Sequence, residues 1–443
     1  MQEGEFELVG APEDADVIVV NTCAFIESAK VESIETILEM ARFKEQGSAE
    51  RLVVTGCLAQ RYATELLDEM PEVDFFLGTN EFTRINEAAA GTLPNRAWVS
   101  QGSYLYSNAD ARTNSVRGGT AYVKVSEGCN RTCTFCIIPK IRGKQVSRTV
   151  DDVVAELQRL GRAQVREAVL VAQDMTSYGV DLGDPNALAA LIRKAEAAEQ
   201  VPDWIRLLYM YPWNFTDELV QLMASGQRLL PYVDMPLQHV SERILKAMRR
   251  NTTRDKQRRL IDKLRDIPGL TLRTTFITGF PGETDADFQE LYDWVEEVRF
   301  DRVGVFTYSI EEDTPAGVMD GQLEEHVKEE RRDALMALQN EIAAEKNREH
   351  VGKRLRVLVD GISEEHEYVY EGRHAGQAPD IDGVVYLSYD DGGEPATPGS
   401  FIDVQIEDAS AYDLMGVVVS DAPLLLSADG LTFNPHRIPA QEG

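Results

Sequence analysis

The stretch EGCNRTCTFCIIP, Glu127 to Pro139, decides how the chain is read. It carries Cys129, Cys133 and Cys136 in a C-x3-C-x2-C array, three of the chain's five cysteines. A closed structural metal site takes four ligands, whereas a catalytic one keeps a coordination position open. No fourth cysteine and no histidine stands near the array in sequence. Zinc is the competing reading, but zinc favours paired CxxC motifs or cysteine with histidine. Three thiolates can instead hold three irons of a cubic 4Fe-4S cluster and leave the fourth iron open. The run AYVKVSE leads straight into the array, which places it at the C-terminal mouth of a strand.

Downstream, EAVLVAQ, WIRLLYM, YVDMPLQ, LRTTFIT and RVGVFTYS are further strand candidates. Segments with helical spacing, such as VDDVVAELQRLGRA, ERILKAMRR and DFQELYDWVEEV, separate them. Six β/α repeats predict a (β/α)6 barrel or part of one over residues 118–348, with active groups at the C-terminal strand ends. Upstream, over residues 1–95, DADVIVVNTC, RLVVTGC and VDFFLG alternate with the helical ESAKVESIETILEMARF and LAQRYATELLDEM. That pattern predicts an α/β domain with a parallel sheet. Cys23 and Cys57 each follow the end of such a strand, where open α/β sheets bind ligands. A lone buried cysteine is usually an inert small hydrophobe; two at equivalent strand ends suggest a shared site. Residues 96–117 lack periodicity and read as a linker. EEHVKEERRDALMALQNEIAAEKNREH reads as a long charged connecting helix. After it KRLRVLVDG, EYVYEGR, GVVYLSY and SFIDVQIEDA predict a small β-barrel over 349–420, followed by a patternless tail, 421–443.

The 443 residues suffice for two to four domains, and 43% hydrophobic with 27% charged residues is ordinary for a globular protein. No window approaches the roughly 18 apolar residues of a membrane span. The start, MQEGEFELVG, lacks the basic flank and apolar run of a signal peptide. A cytoplasmic location without a membrane partner is therefore expected. Clustered cysteines in odd number point to metal or redox work rather than disulfides. A formal net charge of -30 disfavours phosphate-backbone contacts and favours a basic partner. A merely solvated acidic surface would give the same figure.

CNRTCTFC after a strand, opening six β/α repeats, resembles the radical S-adenosylmethionine (SAM) enzymes. VNTCAFIESAKVESIETI and VVTGCLAQRY resemble the N-terminal domain of the methylthiotransferases within that family, and GQAPDIDGVVYL their C-terminal TRAM barrel. SEGCNRTCTFCIIPKIRGKQVSR, DMPLQHVSERILKAMRR, FITGFPGETDADF and APDIDGVVYL are similar to the methylthiotransferases that modify the β-carbon of an aspartate in a small-subunit ribosomal protein. The resemblance implies two 4Fe-4S clusters and SAM as cofactors. It assigns Cys129, Cys133 and Cys136 to the cluster that binds SAM, with Phe135 near the adenine. Gly279, Pro281, Gly282 and Glu283, in ITGFPGE, would face the adenine and ribose. Gln173 and Asp174 would meet the SAM amino group, although the family's usual Gly-Gly-Glu is not matched there. Cys23 and Cys57 would hold the second cluster.

The family's third cysteine for that cluster lies in a Gly-Cys motif after its first strand, and the expectation is that this strand, its helix and that ligand precede Met1. The chain as written is thus expected to cleave SAM but to transfer methylthio groups poorly. The implied chemistry suits the cofactors. A methylene beside a carboxylate offers no acidity to a side-chain base, whereas a carbon radical can take its hydrogen.

Partners implied are a basic ribosomal protein and an electron donor of the flavodoxin or ferredoxin type. The related methylthiotransferases that act on transfer RNA adenosine form the alternative, and the charge of the TRAM segment bears on it. Residues 351–420 hold four basic residues, Lys353, Arg354, Arg356 and Arg373, against fourteen acidic ones. Such a barrel is a poor platform for RNA and an attractive one for a basic protein. The basic KAMRRNTTRDKQRRLIDKLR points the other way, as a solvated helix face or an RNA contact. A non-catalytic iron-sulfur carrier is a third reading; it requires fully ligated clusters and no SAM site.

Overall fold

The computed structural model describes residues 6–102, 104–110, 112–114, 116–366, 369–389, 395–419 and 437–438. The chain forms two compact units. One comprises residues 1–106, 127–146 and 309–319; the other comprises 107–126, 147–308 and 320–443. All five cysteines therefore belong to the first.

The first unit is built on a parallel sheet whose strands run in the order Val17–Thr22, Arg51–Gly56, Phe75–Leu77, Ala97–Trp98. The inner strand Arg51–Gly56 is buried from Leu52 onward, as expected of a parallel strand covered on both faces. Helices Glu27–Gln46 and Cys57–Glu69 make the crossovers, and Ile37, Leu58 and Ala63 pack on Ile18, Val20 and Val54. Ile137 and Ile141, from the segment after the cysteine array, join this same core. The expected linker begins too early: Ala97–Trp98 is the fourth strand. Two residues are too few to show alternation, and the Arg84 guanidinium lies 3.7 Å from the Trp98 ring centre.

In the second unit six parallel strands form two sheets of three. Thr120–Lys124, Glu167–Val171 and Trp204–Leu207 make one; Tyr232–Asp234, Thr271–Thr278 and Arg302–Thr307 make the other. Backbone bonds from Ile205 N to Arg228 O (2.8 Å) and from Leu230 N to Ile205 O (2.9 Å) join them. The first and last strands each pair on one side only, so this is a partial barrel. Helix Val150–Arg162 shows how the repeats fold. Thr149 caps its first turn, and Val153, Leu157 and Leu160 recur on the face that meets the core.

A closed barrel of five strands follows, in the order Arg354–Ile362, Tyr370–His374, Val385–Ser388, Leu414–Val418, Phe401–Ala409. Alternating Val357, Val359, Val385, Leu387, Val404 and Ile406 fill it, and closure leaves no free edge. Its closing strand Leu414–Val418 was not foreseen. Gly416 interrupts that strand's pattern because a Cβ there would lie 2.5 Å from the Gln405 carbonyl oxygen. The barrel packs under the N-terminal ends of the six parallel strands. Tyr122 donates to Pro379 O (3.2 Å), Tyr232 donates to Asp382 (2.7 Å), and Trp204 meets Phe401 edge-on. The opposite, C-terminal strand ends are thus left for chemistry. The expected tail from 421 lies outside the described residues except Arg437–Ile438, which pairs with Arg112–Thr113. Among the described residues no helix is long and apolar enough to cross a membrane.

His374 makes the second unit sensitive to acid. Its Nδ1 accepts from Gly376 N (3.1 Å), and its Nε2 is buried without a partner. Burial, the neighbouring His350 and the Arg302 and Arg206 guanidinium groups push its pKa down to about 3. The folded state refuses a proton that the unfolded chain accepts near pH 6.5, so stability is lost as pH falls below that value. The loss attributable to His374 is about 1.4 kcal/mol per pH unit at most. Denaturant titrations at pH 7.5 and 5.5 are expected to show a smaller difference for His374→Gln than for the parent.

Candidate functional site

The cysteine loop leaves through Ser126–Glu127 and returns through Val146–Ser147, which pair as a two-stranded sheet. Glycine is required at the exit. Gly128 has φ +81°, and a Cβ there would lie 2.3 Å from the Lys144 carbonyl oxygen. Across this neck Cys129 N donates to Gly143 O and Gln145 N to Asn130 Oδ1, both at 3.2 Å. Arg131 N donates to Cys129 Sγ (3.4 Å), and Cys136 N to Cys133 O (3.2 Å). Cys129 is buried, while Cys133, Phe135 and Cys136 are half-buried. Ala316 N donates to Thr134 O (2.9 Å), tying the 309–319 segment to the loop.

Cys23 and Cys57 stand at matched positions. Thr22 and Gly56 are partners in the register of two adjacent parallel strands, and a cysteine follows each. The backbone passes close here: a Cβ on Gly56, at φ +103°, would sit 2.5 Å from Thr22 O. The Thr22 hydroxyl donates to Thr55 O (2.6 Å) and accepts from Leu58 N (3.3 Å). Ser33 Oγ accepts from Cys23 N (3.0 Å) and donates to Cys23 O (2.9 Å). Cys23 is exposed, and Cys57 is buried as the first residue of its helix. Burial pushes the Cys57 thiol up, opposed by the Arg142 guanidinium, which donates to its Sγ at 3.2 Å. Arg142 also donates to Glu127 (3.2 Å), whose other oxygen accepts from Gly128 N. Near Cys23, Arg61 donates to Ala24 O (2.8 Å) and to the buried Glu311 (3.2 Å), which Lys30 approaches at 3.5 Å.

In the second unit the remaining candidates lie just past strand ends. Asp174 is buried and accepts from the Thr176 and Ser177 hydroxyls (2.8 and 2.7 Å), while Gln173 is half-buried beside it. In the turn after Thr271–Thr278, Gly279 and Gly282 both have positive φ, and Pro281 is buried. Gly282 N donates to Gly321 O (2.7 Å). The Glu283 carboxylate is enclosed: it accepts from Gly279 N (3.0 Å) and Arg331 Nη1 (2.7 Å), with His239 Nε2 at 3.4 Å. It holds the turn in shape.

Among the described residues, Cys, His, Asp and Glu side chains do not converge in threes as a metal-holding set. Sulfur as the donor type suits iron where three thiols stand in one short loop; at the sheet edge Cys23 and Cys57 supply two thiols, fewer than a cubic cluster takes. Sequence reasoning did not find Arg142, Glu127, Arg61 or Glu311. Arg142 stands in a quoted motif, but its sulfur partner lies 85 positions away and left no local signal.

Residues 123–295 match the radical SAM superfamily, residues 1–78 the uncharacterized protein family UPF0004, and residues 351–419 the TRAM domain. The chain is 49% identical over 414 residues to the ribosomal protein uS12 methylthiotransferase RimO of Sorangium cellulosum, covering 92% of this chain and 84% of that protein. It is 47% identical over 444 residues to the RimO of Anaeromyxobacter sp. strain K, covering 100% of this chain and 93% of that one. Among solved structures, the radical SAM methyltransferase TsrM of Kitasatospora setae matches with a TM-score of 0.52 at 17% identity. That match covers 68% of this chain and 64% of TsrM, under two thirds of its length, and shows the fold alone.

Proposed function

The chain belongs to the RimO family of radical SAM methylthiotransferases, and from that premise we propose that it adds a methylthio group to the β-carbon of an aspartate in ribosomal protein uS12. The observation that carries this is identity near one half across nearly the whole chain, with the Cys129, Cys133, Cys136 array intact. The family implies a 4Fe-4S cluster and SAM. Cys129, Cys133 and Cys136 are assigned to hold that cluster. When bound, cluster and SAM together supply a carbon radical able to take hydrogen from an unactivated carbon.

The protein's part is to bind, orient and shield. The Gly128 neck fixes where the three thiolates emerge. Gly279, Pro281 and Gly282 are assigned to SAM through close backbone approach, and Glu283 to that site by holding the turn. Phe135 is assigned to the adenine, and Gln173 and Asp174 to the amino group. A second 4Fe-4S cluster is proposed at Cys23 and Cys57, incompletely ligated by the two thiols this chain supplies, and supported by their matched register and by sulfur as the donor at both. An electron donor of the flavodoxin or ferredoxin type and a cytoplasmic setting follow from the same reading.

Transfer RNA is disfavoured by the acidic TRAM segment, with four basic against fourteen acidic residues in 351–420. The reconstituted protein, given SAM and reductant, is expected to form 5′-deoxyadenosine and to replace one hydrogen of uS12 with a methylthio group only at low yield, read by mass spectrometry. Modification of transfer RNA in place of uS12 would overturn the assignment.

A further inference from the structure

We propose that Arg273 and Thr275, on the inner face of the parallel-strand barrel, receive the side-chain carboxylate of the target aspartate in a niche left open by Gly304. The inference deepens the proposed function and rests on uS12 being the substrate.

Alternation sets which side chains face the barrel axis. Along Thr271–Thr278, Leu272, Thr274, Phe276 and Thr278 are buried, while Arg273, Thr275 and Ile277 are partly exposed. Leu272 and Phe276 share a core with Leu291 and Val295 of helix Asp285–Val298, and so do Val303 and Val305 of the next strand. Successive side chains of a strand point to opposite faces, so Arg273, Thr275, Gly304 and Phe306 turn away from the helices, toward the axis. Thr271–Thr278 has a neighbour on both sides, so exposure on this face marks an unfilled interior and not a sheet edge. Phe306 is 58% exposed there.

Register brings the niche together. Thr275 pairs with Gly304, between the Arg273–Arg302 and Ile277–Phe306 pairs. A Cβ placed on Gly304 would lie 3.7 Å from Arg273 Nη2, 3.8 Å from Thr275 Oγ1 and 3.9 Å from a ring carbon of Phe306. The space beside Gly304 is therefore bounded by a guanidinium arm, a hydroxyl and an aromatic edge. Arg273 is held in place because its Nη1 donates to Asp234 (2.7 Å), whose other oxygen accepts from Tyr209 N (3.0 Å). Among the described residues neither Arg273 Nη2 nor the Thr275 hydroxyl has a hydrogen-bond partner. A guanidinium carries five donors and can serve two carboxylates, as Arg373 serves Glu167 and Asp360 in this same protein. A carboxylate entering the niche accepts from both free donors, whereas a carboxamide offers one acceptor and forgoes the charge. The β-carbon of an aspartate is one bond from its carboxylate, so gripping the carboxylate also fixes the carbon to be modified.

The test is binding of fluorescent uS12 peptides to the full chain, one carrying the target aspartate and one asparagine in its place. The parent is expected to prefer aspartate by about tenfold or more, the worth of a charge-assisted hydrogen bond. R273Q is expected to level that preference, and G304A, whose added methyl sits at ordinary contact distances but occupies the niche, to reduce it. A merely structural role would weaken both peptides alike and leave their ratio unchanged. Equal affinity of the parent for the two peptides, or a preference kept by folded R273Q, overturns the inference and leaves the functional reading standing. Should R273Q fail to fold, G304A decides: a reduced preference upholds the inference and an unchanged one overturns it. Failure of the parent to bind or modify uS12 in any form sinks the functional reading, and the inference with it.

Discussion

Alanine at any one of Cys129, Cys133 or Cys136 is expected to abolish formation of 5′-deoxyadenosine from SAM while leaving the C-terminal barrel folded. Three thiolates are the fewest that hold three irons of a cubic cluster and leave the fourth open, so no ligand is spare. Mutating a mere outer-shell partner of a metal ligand costs about 10- to 100-fold, and removal of a ligand itself costs more. Cys133 and Cys136 are half-buried on a loop whose neck is held by backbone bonds, so their replacement opens no large cavity. Cys129 is more enclosed, at 8% exposure, and its alanine variant serves as the stricter control of folding. The measurement is iron content and 5′-deoxyadenosine under anaerobic reduction. Parent-level turnover by C133A would refute the assignment of these thiolates to the SAM cluster.

The parts of this site that were legible in sequence are those whose signal is local. The C-x3-C-x2-C array, the turn glycines of ITGFPGE and the long β-branched runs each declare themselves within about ten residues. Cys23 and Cys57 were legible as strand-end residues because VIVV and LVV mark their strands; that they share one register is a fact of pairing. What stayed hidden depends on contacts between distant segments. Arg61 reads as one more charge on a helix until Glu311, 250 positions on, is seen to receive it. Glu283 was assigned to SAM along with its motif; in the structure its carboxylate accepts from Gly279 N and Arg331 Nη1. Ala97–Trp98 and Leu414–Val418 escaped notice, one too short for periodicity and the other interrupted by Gly416.

Arg373 is the extreme case of such concealment, and it supports the largest stability effect expected here. It was read only as one of four positive charges on an acidic barrel. In the structure it lies 2% exposed and donates to Glu167 (2.6 Å), to both oxygens of Asp360 (2.8 Å each) and to Thr120 Oγ1 (2.9 Å). Glu167, fully buried at the start of its strand, also accepts from Arg206 Nε (2.8 Å). Arg206 reaches on to Ala375 O (3.0 Å) and covers the Tyr232 ring. Burial works against the Glu167 carboxylate, but Arg373 and Arg206 outweigh it and hold the group below the usual carboxylate range. Its lowered value means that Glu167 stabilises the folded state above about pH 4, with that contribution lost as pH falls further.

Glu167→Ala would leave Arg206 without a carboxylate and Arg373 with Asp360 alone, inside a seam closed to water. Breaking a buried pair from one side costs about 3–5 kcal/mol, because the remaining charge cannot be solvated. Denaturant unfolding of the full chain, followed by Trp204 fluorescence at the same seam, is expected to show a loss of that size. Glu167→Gln keeps the shape and one acceptor and should lose less. Removing the stranded charge as well, in Glu167→Leu with Arg206→Met, should recover part of the loss, since apolar packing can replace a buried pair at little cost. A loss below about 1 kcal/mol for Glu167→Ala would mean that water enters the seam and screens these charges as at a surface. The TRAM barrel would then be held to the parallel strands by the ring contact of Trp204 with Phe401 and the hydrogen bond from Tyr232 to Asp382, rather than by this network.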